Sequence, residues 1–214
     1  MPADRELLAE LLKALEQDEN IAAAYARQLP NAECSFVERY TRAFNYPDRS
    51  VVKTKKDMDQ YGIKTFFCSN VCAAYKKDIY QKQGGFVRRT IFNEDMIYAG
   101  GLIQAGYGIA YAAEAKVIHS HNYNCMQQFH RNFDLGVSQA EHPEIFEGVP
   151  SEGEGMRLVK KTLSHLVRSE KIWLIPGFVM QCAGKYAGYL AGKNFRRLPK
   201  KFVLWCTMSP NYWK

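Results

Sequence analysis

Two adjacent acids, Glu94 and Asp95, stand at the head of the apolar run "NEDMIYAGGLIQAGYG". Acids in a first helical turn complement the helix dipole by ~0.3–1 kcal/mol each, so a purely structural role suffices for them. Three neighbouring features open a chemical one. Gly84-Gly85-Phe86, just upstream, lets the backbone come close to a ligand. His119 follows Asp95 by 24 positions, at the end of the strand-like run "IAYAAEAKVIHSHNY". His121 comes two residues later, so an extended strand turns both imidazoles to the same side. A carboxylate at a helix start and a histidine at an adjacent strand end can share a cleft at the edge of an α/β sheet, where ligands bind. There the carboxylate can act as general base toward a hydroxyl, and a neutral imidazole can ligate a metal. The competing reading of each histidine is a satisfied structural side chain, because a metal needs several ligands within reach.

The elements that must position these residues alternate between helix-like and strand-like patterns, which predicts an α/β fold. "PADRELLAELLKALEQDE" sets Leu7, Leu8, Leu11, Leu12 and Leu15 on one helical face, with Asp4 as N-cap. A strand is expected at about Ile21 to Tyr25, before Pro30. Residues 31–64 are polar and turn-rich and read as a long surface excursion. "KTFFCSNVCAAY" reads as a buried strand. "KKDIYQKQGGF" reads as a short helix stopped at Gly84 or Gly85. The helix carrying the acid pair has Asn93 as N-cap and Gly106 as its stop. Further helices are expected over 122–141 and in "EGEGMRLVKKTLSHLVRSE".

Charge is unevenly spread along the 214 residues. Residues 157–214 hold 12 Lys/Arg and a single acid, Glu170, for +11, whereas residues 1–156 carry −4, giving the net +7. A near-neutral body with a basic tail suits an anionic surface as the tail's partner. The tail lacks any recognisable nucleic-acid-binding motif, so a nucleic acid is not the expected partner. Its residues 172–192 are long enough to cross a bilayer but include Pro176, Gln181, Lys185 and four glycines. An interfacial, peripheral segment at an anionic membrane surface fits better, with Lys, Arg, Trp and Tyr at the headgroup boundary. The six cysteines are scattered without Cys-x-x-Cys spacing, and the chain shows no secretory signal. Reduced thiols in a cytosolic protein are the expectation.

"FFCSNVCAAYKKDIYQKQGGF" followed by "FNEDMIYAGGLIQAGYGIAYAAEAKVIHSHNY" resembles family 2 glycosyltransferases of the GT-A fold. The rhamnosyltransferase-like branch of bacterial polysaccharide synthesis is the nearest match, and the aromatic, basic tail ending "LWCTMSPNYWK" is similar to that branch too. The resemblance implies the acceptor-side portion of a Rossmann-like domain with a mixed sheet over residues 1–150. A helical, basic, membrane-proximal extension over 151–214 would follow. It implies an inverting transfer from a nucleotide sugar (dTDP-rhamnose or a UDP-sugar) to a glycan or lipid-linked acceptor, at the cytoplasmic face of the membrane. Asp95 then matches the catalytic base and Glu94 its partner against the acceptor sugar. Ser69, Asn70, Gly84, Gly85 and Phe86 match the acceptor-side wall, Gln28 a segment near the sugars, and His119 the late histidine that helps hold Mg²⁺ or Mn²⁺.

The sequence departs from that family in one respect. An Asp-x-Asp-like metal motif, which precedes the "RELLAELLKALEQDENIAAAYARQ" type of segment, does not appear near residue 1. "DMD" at 57–59 lies in the polar excursion and reads as a solvated charge run. The expectation is therefore a chain lacking the nucleotide-binding half. It could be truncated, a fragment, or completed by a partner chain, and the metal is expected only with the missing motif present. The alternative is a non-catalytic remnant or partner subunit that keeps the acceptor wall and the membrane tail.

Overall fold

A computed structural model of the chain describes residues 1–149 and 152–214. The expected domain boundary at 150/151 falls on the two residues outside that description. Two compact units are present. One comprises Met1–Val87 and Glu94–Asn122 with Val149. The other comprises Arg88–Asn93, Tyr123–Gly148 and Glu152–Lys214.

The first unit is α/β. In chain order it runs α1 (Leu7–Glu16), β1 (Ile21–Leu29), α2 (Phe36–Asn45), β2 (Val51–Lys53), α3 (Met58–Tyr61), β3 (Ala73–Tyr75), α4 (Lys77–Lys82), α5 (Glu94–Gln104) and β4 (Gly108–Ile118). The mixed sheet has the order β2-β4-β1-β3. Its two central strands are parallel, with Ala24 opposite Ala110 and Leu29 opposite Ile118. The outer strands β2 and β3 are antiparallel to their neighbours. Alanines in both central strands leave room for a helix, and α1 fills it. Leu7, Leu11 and Leu15 pack on Ala24, Ala26, Ala110, Ala112 and Ala115.

Several expected details differ in this unit. Leu8 (75% exposed) and Leu12 face solvent, so the buried stripe of α1 is narrower than the leucine count implied. Asp4 does not cap α1, which starts three residues later; its carboxylate instead accepts the N–H of Glu6 at 3.1 Å. Strand β1 continues past Tyr25 to Leu29, because a bulge lets Arg27, Gln28 and Leu29 pair with Lys116, Val117 and Ile118. The 31–64 excursion holds α2, β2 and α3. Ser35 starts α2 by accepting the N–H of Glu38 at 3.2 Å. Asp57 is not a solvated charge: its carboxylate accepts the N–H and hydroxyl of Thr54, both at 2.8 Å, in a capping box. Only Ala73–Tyr75 of "KTFFCSNVCAAY" is strand. Residues Gly62–Phe66 form a 3₁₀ turn, and a tight turn closes between Ser69 and Cys72.

The second unit is helical, with α6 (Cys125–Glu141), α7 (Pro143–Phe146), α8 (Glu152–Arg168), α9 (Ile175–Lys193) and α10 (Lys200–Cys206). Asn124 caps α6 through a reciprocal pair with Gln127. Helices α6 and α9 lie backbone to backbone along Gly184, Gly188 and Gly192, where side chains would collide with α6. Phe133, Val137, Val203 and Cys206 form the core. Buried Asp134 accepts the hydroxyl of Thr207 at 2.6 Å and the N–H of Met208 at 3.0 Å, fixing the residues after α10. Among the described residues, no helix is long and apolar enough to cross a membrane. All six cysteines are free thiols.

Candidate functional site

The first turn of α5 presents Glu94 and Asp95 half-buried at the helix N-terminus. Asn93 precedes them with a left-handed backbone (φ 62°), not the extended one of an ordinary N-cap. The Asp95 carboxylate is held from two sides. One oxygen accepts the N–H of Met96 at 2.8 Å, and the other accepts the N–H of Asn70 at 3.1 Å. The Asn70 side chain then bridges outward. Its amide N–H donates to Glu94 at 3.2 Å, and its carbonyl accepts the hydroxyl of Tyr75 at 2.6 Å. Burial pushes the Asp95 carboxyl above its ordinary range and the Glu94 charge adds to this, while the Asn70 and Met96 N–H bonds oppose it. A carboxylate raised in this way binds a proton more tightly than a solvated one, which suits a general base.

Tyr75 also anchors an aromatic wall. It meets Phe86 edge-on at 5.3 Å and Tyr98 at 5.6 Å, and Tyr80 closes the group against Phe86 at 5.3 Å. The two expected helix-stop glycines build this wall. Gly84 and Gly85 have φ of 79° and 70°, and a Cβ on Gly85 would lie 2.7 Å from the Tyr80 ring. The turn thereby aims the N–H of Phe86 at the Tyr80 hydroxyl, 3.1 Å away.

A second set of contacts reaches the sheet. Gln28, at the carboxyl end of β1, is buried and donates to the hydroxyl of Ser69 at 2.8 Å. Arg42 of α2 donates to the Gln28 carbonyl and pairs with Glu38. Its guanidinium lies 5.7 Å from the Tyr46 ring centre. Burial pushes the Tyr46 hydroxyl up to about 12, against a hydrogen bond with Ser69. His119 continues the pairing just past β4, its N–H donating to Leu29 at 2.9 Å. The His119 and His121 rings meet edge to face at 4.5 Å, so the two imidazoles do gather as their spacing implied. Gln28 and His119 thus share the carboxyl ends of the two parallel strands, where α/β sheets take their ligands.

The structure therefore brings Glu94, Asp95 and Asn70 into one hydrogen-bonded network that reaches Phe86 through Tyr75, while Ser69, the chain neighbour of Asn70, is bonded to Gln28. The described residues contain no group of three His, Cys, Asp or Glu able to hold a metal. They do not make a metal centre by themselves; His119 offers one imidazole.

Sequence reasoning missed Arg42, Tyr46, Tyr75 and Lys53. The pattern Ser35-x-x-Glu38 was a visible helix start that would have placed Arg42 on a helix. Lys53 is 4% exposed. Its ammonium donates to the carbonyls of Lys64 (3.0 Å) and Phe67 and lies 4.9 Å from the Tyr25 ring centre. It thereby ties down the turn that leads into Ser69 and Asn70. Burial lowers its pKa from 10.5 to about 7, with Lys64 adding to the shift and Cys68 opposing it. Above about pH 7 the folded chain then holds fewer protons here than the unfolded chain, so this group makes stability rise with pH. Between pH 7 and 8.5 this group's own contribution rises by on the order of 2 kcal/mol, partly offset by the buried thiols, whose raised pKa values work in the opposite sense near the top of that window. Denaturant unfolding across that window should show it as a gain in the stability of the wild type relative to Lys53→Met.

An α/β unit with a mixed four-stranded sheet, followed by many helices, is consistent with the Rossmann-like glycosyltransferase fold that the sequence led one to expect. The sequence comparisons agree with that class. The chain is 41% identical over 213 residues to the O-antigen chain rhamnosyltransferase WbaN of Salmonella anatum, covering 98% of this chain and 66% of that protein. It is also 41% identical over 199 residues to the O-antigen chain rhamnosyltransferase RfbN of Salmonella typhimurium, covering 92% of this chain and 62% of that protein. The chain is a relative of these glycosyltransferases and spans just under two thirds of their length. No protein-family model and no solved structure matches it.

Proposed function

We propose that this chain is the acceptor side of an inverting, family 2, rhamnosyltransferase-like enzyme. It would move a sugar from a nucleotide-sugar donor, dTDP-rhamnose in the first instance, to a glycan or lipid-linked acceptor of surface polysaccharide. The transfer belongs to the protein at the length of its relatives. The observation that carries the reading is the Asp95 carboxylate, fixed by the N–H groups of Asn70 and Met96 beside Glu94.

In this reading the acceptor hydroxyl hydrogen-bonds to Asp95. Its proton passes to the carboxylate as its oxygen attacks the anomeric carbon. The bond from that carbon to the nucleotide diphosphate breaks, and the electron pair leaves with the diphosphate. Attack opposite the leaving group inverts the anomeric centre. Glu94 and Asn70 orient the acceptor sugar, and the Phe86 wall excludes water from its face. Gln28, buried and held by Arg42 and Ser69, braces the strand ends beside the sugars. Mg²⁺ or Mn²⁺, with His119 as one of its ligands, would supply positive charge to the leaving diphosphate.

The test is sugar transfer by the protein at its relatives' length, with dTDP-rhamnose or UDP-sugars, a divalent metal and a lipid-linked glycan acceptor. Rhamnose should appear on the acceptor with inverted configuration. A folded protein that transfers no sugar from any of these donors would overturn the proposal.

A further inference from the structure

Helix α9 has two faces of different kinds. Its inner face is the glycine line that seals against α6. Its outer face runs through Val179, Ala183, Tyr186 and Leu190, spaced as one apolar stripe and all exposed. Trp173, in the turn that leads into α9, is 66% exposed, and Met180 is 62% exposed beside the stripe. The core of this unit does not use these side chains.

The segment that carries the stripe, from Lys171 onward, holds charge of one sign, with Glu170 just before it. Residues 171–214 contain eight Lys/Arg and no Asp or Glu. Lys171 stands at the start of the stripe, 5.2 Å from the Trp173 ring centre. Lys193, Arg196 and Arg197 stand at its end. A second copy laid on this stripe would bring two acid-free, cationic segments together. An anionic bilayer surface instead offsets the cations, and its headgroup–acyl boundary accepts the apolar stripe and the Trp and Tyr rings. We infer that the outer face of α9 docks flat on an anionic lipid surface.

The inference stands apart from the transferase reading, since binding is measured without sugar transfer. The full chain is floated with vesicles of phosphatidylcholine alone, or with about one third phosphatidylglycerol, where each cation near the surface strengthens binding several-fold. Binding should require the anionic lipid and weaken with salt. Val179→Glu with Tyr186→Glu, both at exposed sites, should reduce it at least about 10-fold with unchanged thermal unfolding. Replacing Lys193, Arg196 and Arg197 with Gln should reduce it about 10- to 100-fold. Equal binding to both vesicle types, or none to either, would overturn the inference. So would self-association in light scattering that the Val179→Glu/Tyr186→Glu variant abolishes, which would identify a second copy as the occupant.

Discussion

Asp95→Asn should lower the rate of sugar transfer by about 10³-fold, within the 10²–10⁴ range of a general base. Asparagine keeps the size of the side chain and one carbonyl oxygen, so it still accepts one of the two N–H bonds that Asn70 and Met96 give the carboxylate. What it loses is the ability to take a proton. The variant also removes the repulsion between Glu94 and Asp95 that helps raise the Asp95 pKa. Stability should therefore stay within about 1 kcal/mol of the wild type, the lost hydrogen bond and the relieved repulsion opposing one another. Single-turnover transfer measured beside thermal unfolding separates the two effects. A rate loss with an unchanged melting temperature places the defect in the chemistry.

The largest structural effect is expected from Gly188→Leu in α9. A Cβ at Gly188 would lie 2.1 Å from the Phe129 carbonyl oxygen, and one at Gly192 would lie 2.1 Å from that of Phe133. Both obstacles are backbone atoms of α6, so no rotamer change relieves them and the helices must separate. Overpacking a core usually costs 1–3 kcal/mol. Separating two helices that meet along their whole contact should cost at least about 3 kcal/mol by that scale, and Gly188→Leu with Gly192→Leu more. Gly177→Ala in the same helix is the control. Nothing lies within 4 Å of its Cβ position, and the backbone there is ordinary. It should be neutral or stabilise by roughly 0.5–1 kcal/mol. Urea unfolding of the three variants makes the comparison.

The elements that could be read in the sequence are those whose signal is local. Strand β4, α5, α6 and the paired stop glycines after α4 follow from periodicity and turn chemistry alone. The acid pair was legible as a helix start, and the family resemblance pointed to Ser69 and Asn70, of which Asn70 hydrogen-bonds to both acids. Signals that depend on distant partners were not. Lysine reads as solvent-facing, yet Lys53 is buried, since its partners are carbonyls of Lys64 and Phe67 that leave no mark on the sequence. "KTFFCSNVCAAY" reads as one strand because it is apolar, but the turn from Ser69 to Cys72 folds it back and returns Tyr75 to Asn70. Helix α2 hid among charges that α2 itself uses, with Glu38 and Arg42 pairing one turn apart. The leucines of α1 read too generously, since two of them face outward.

In the proposed reaction the Asp95 carboxylate takes the acceptor's proton. The pH dependence of transfer by the protein at its relatives' length tests it most directly. Because burial raises the Asp95 carboxyl above its ordinary 3.8, the carboxylate form is lost as pH falls through that raised value. The wild-type rate should therefore rise with pH along a single-proton acid limb whose midpoint lies above the ordinary Asp value. The residual rate of Asp95→Asn should lack that limb. An acid limb that persists unchanged in Asp95→Asn would rule Asp95 out as the base.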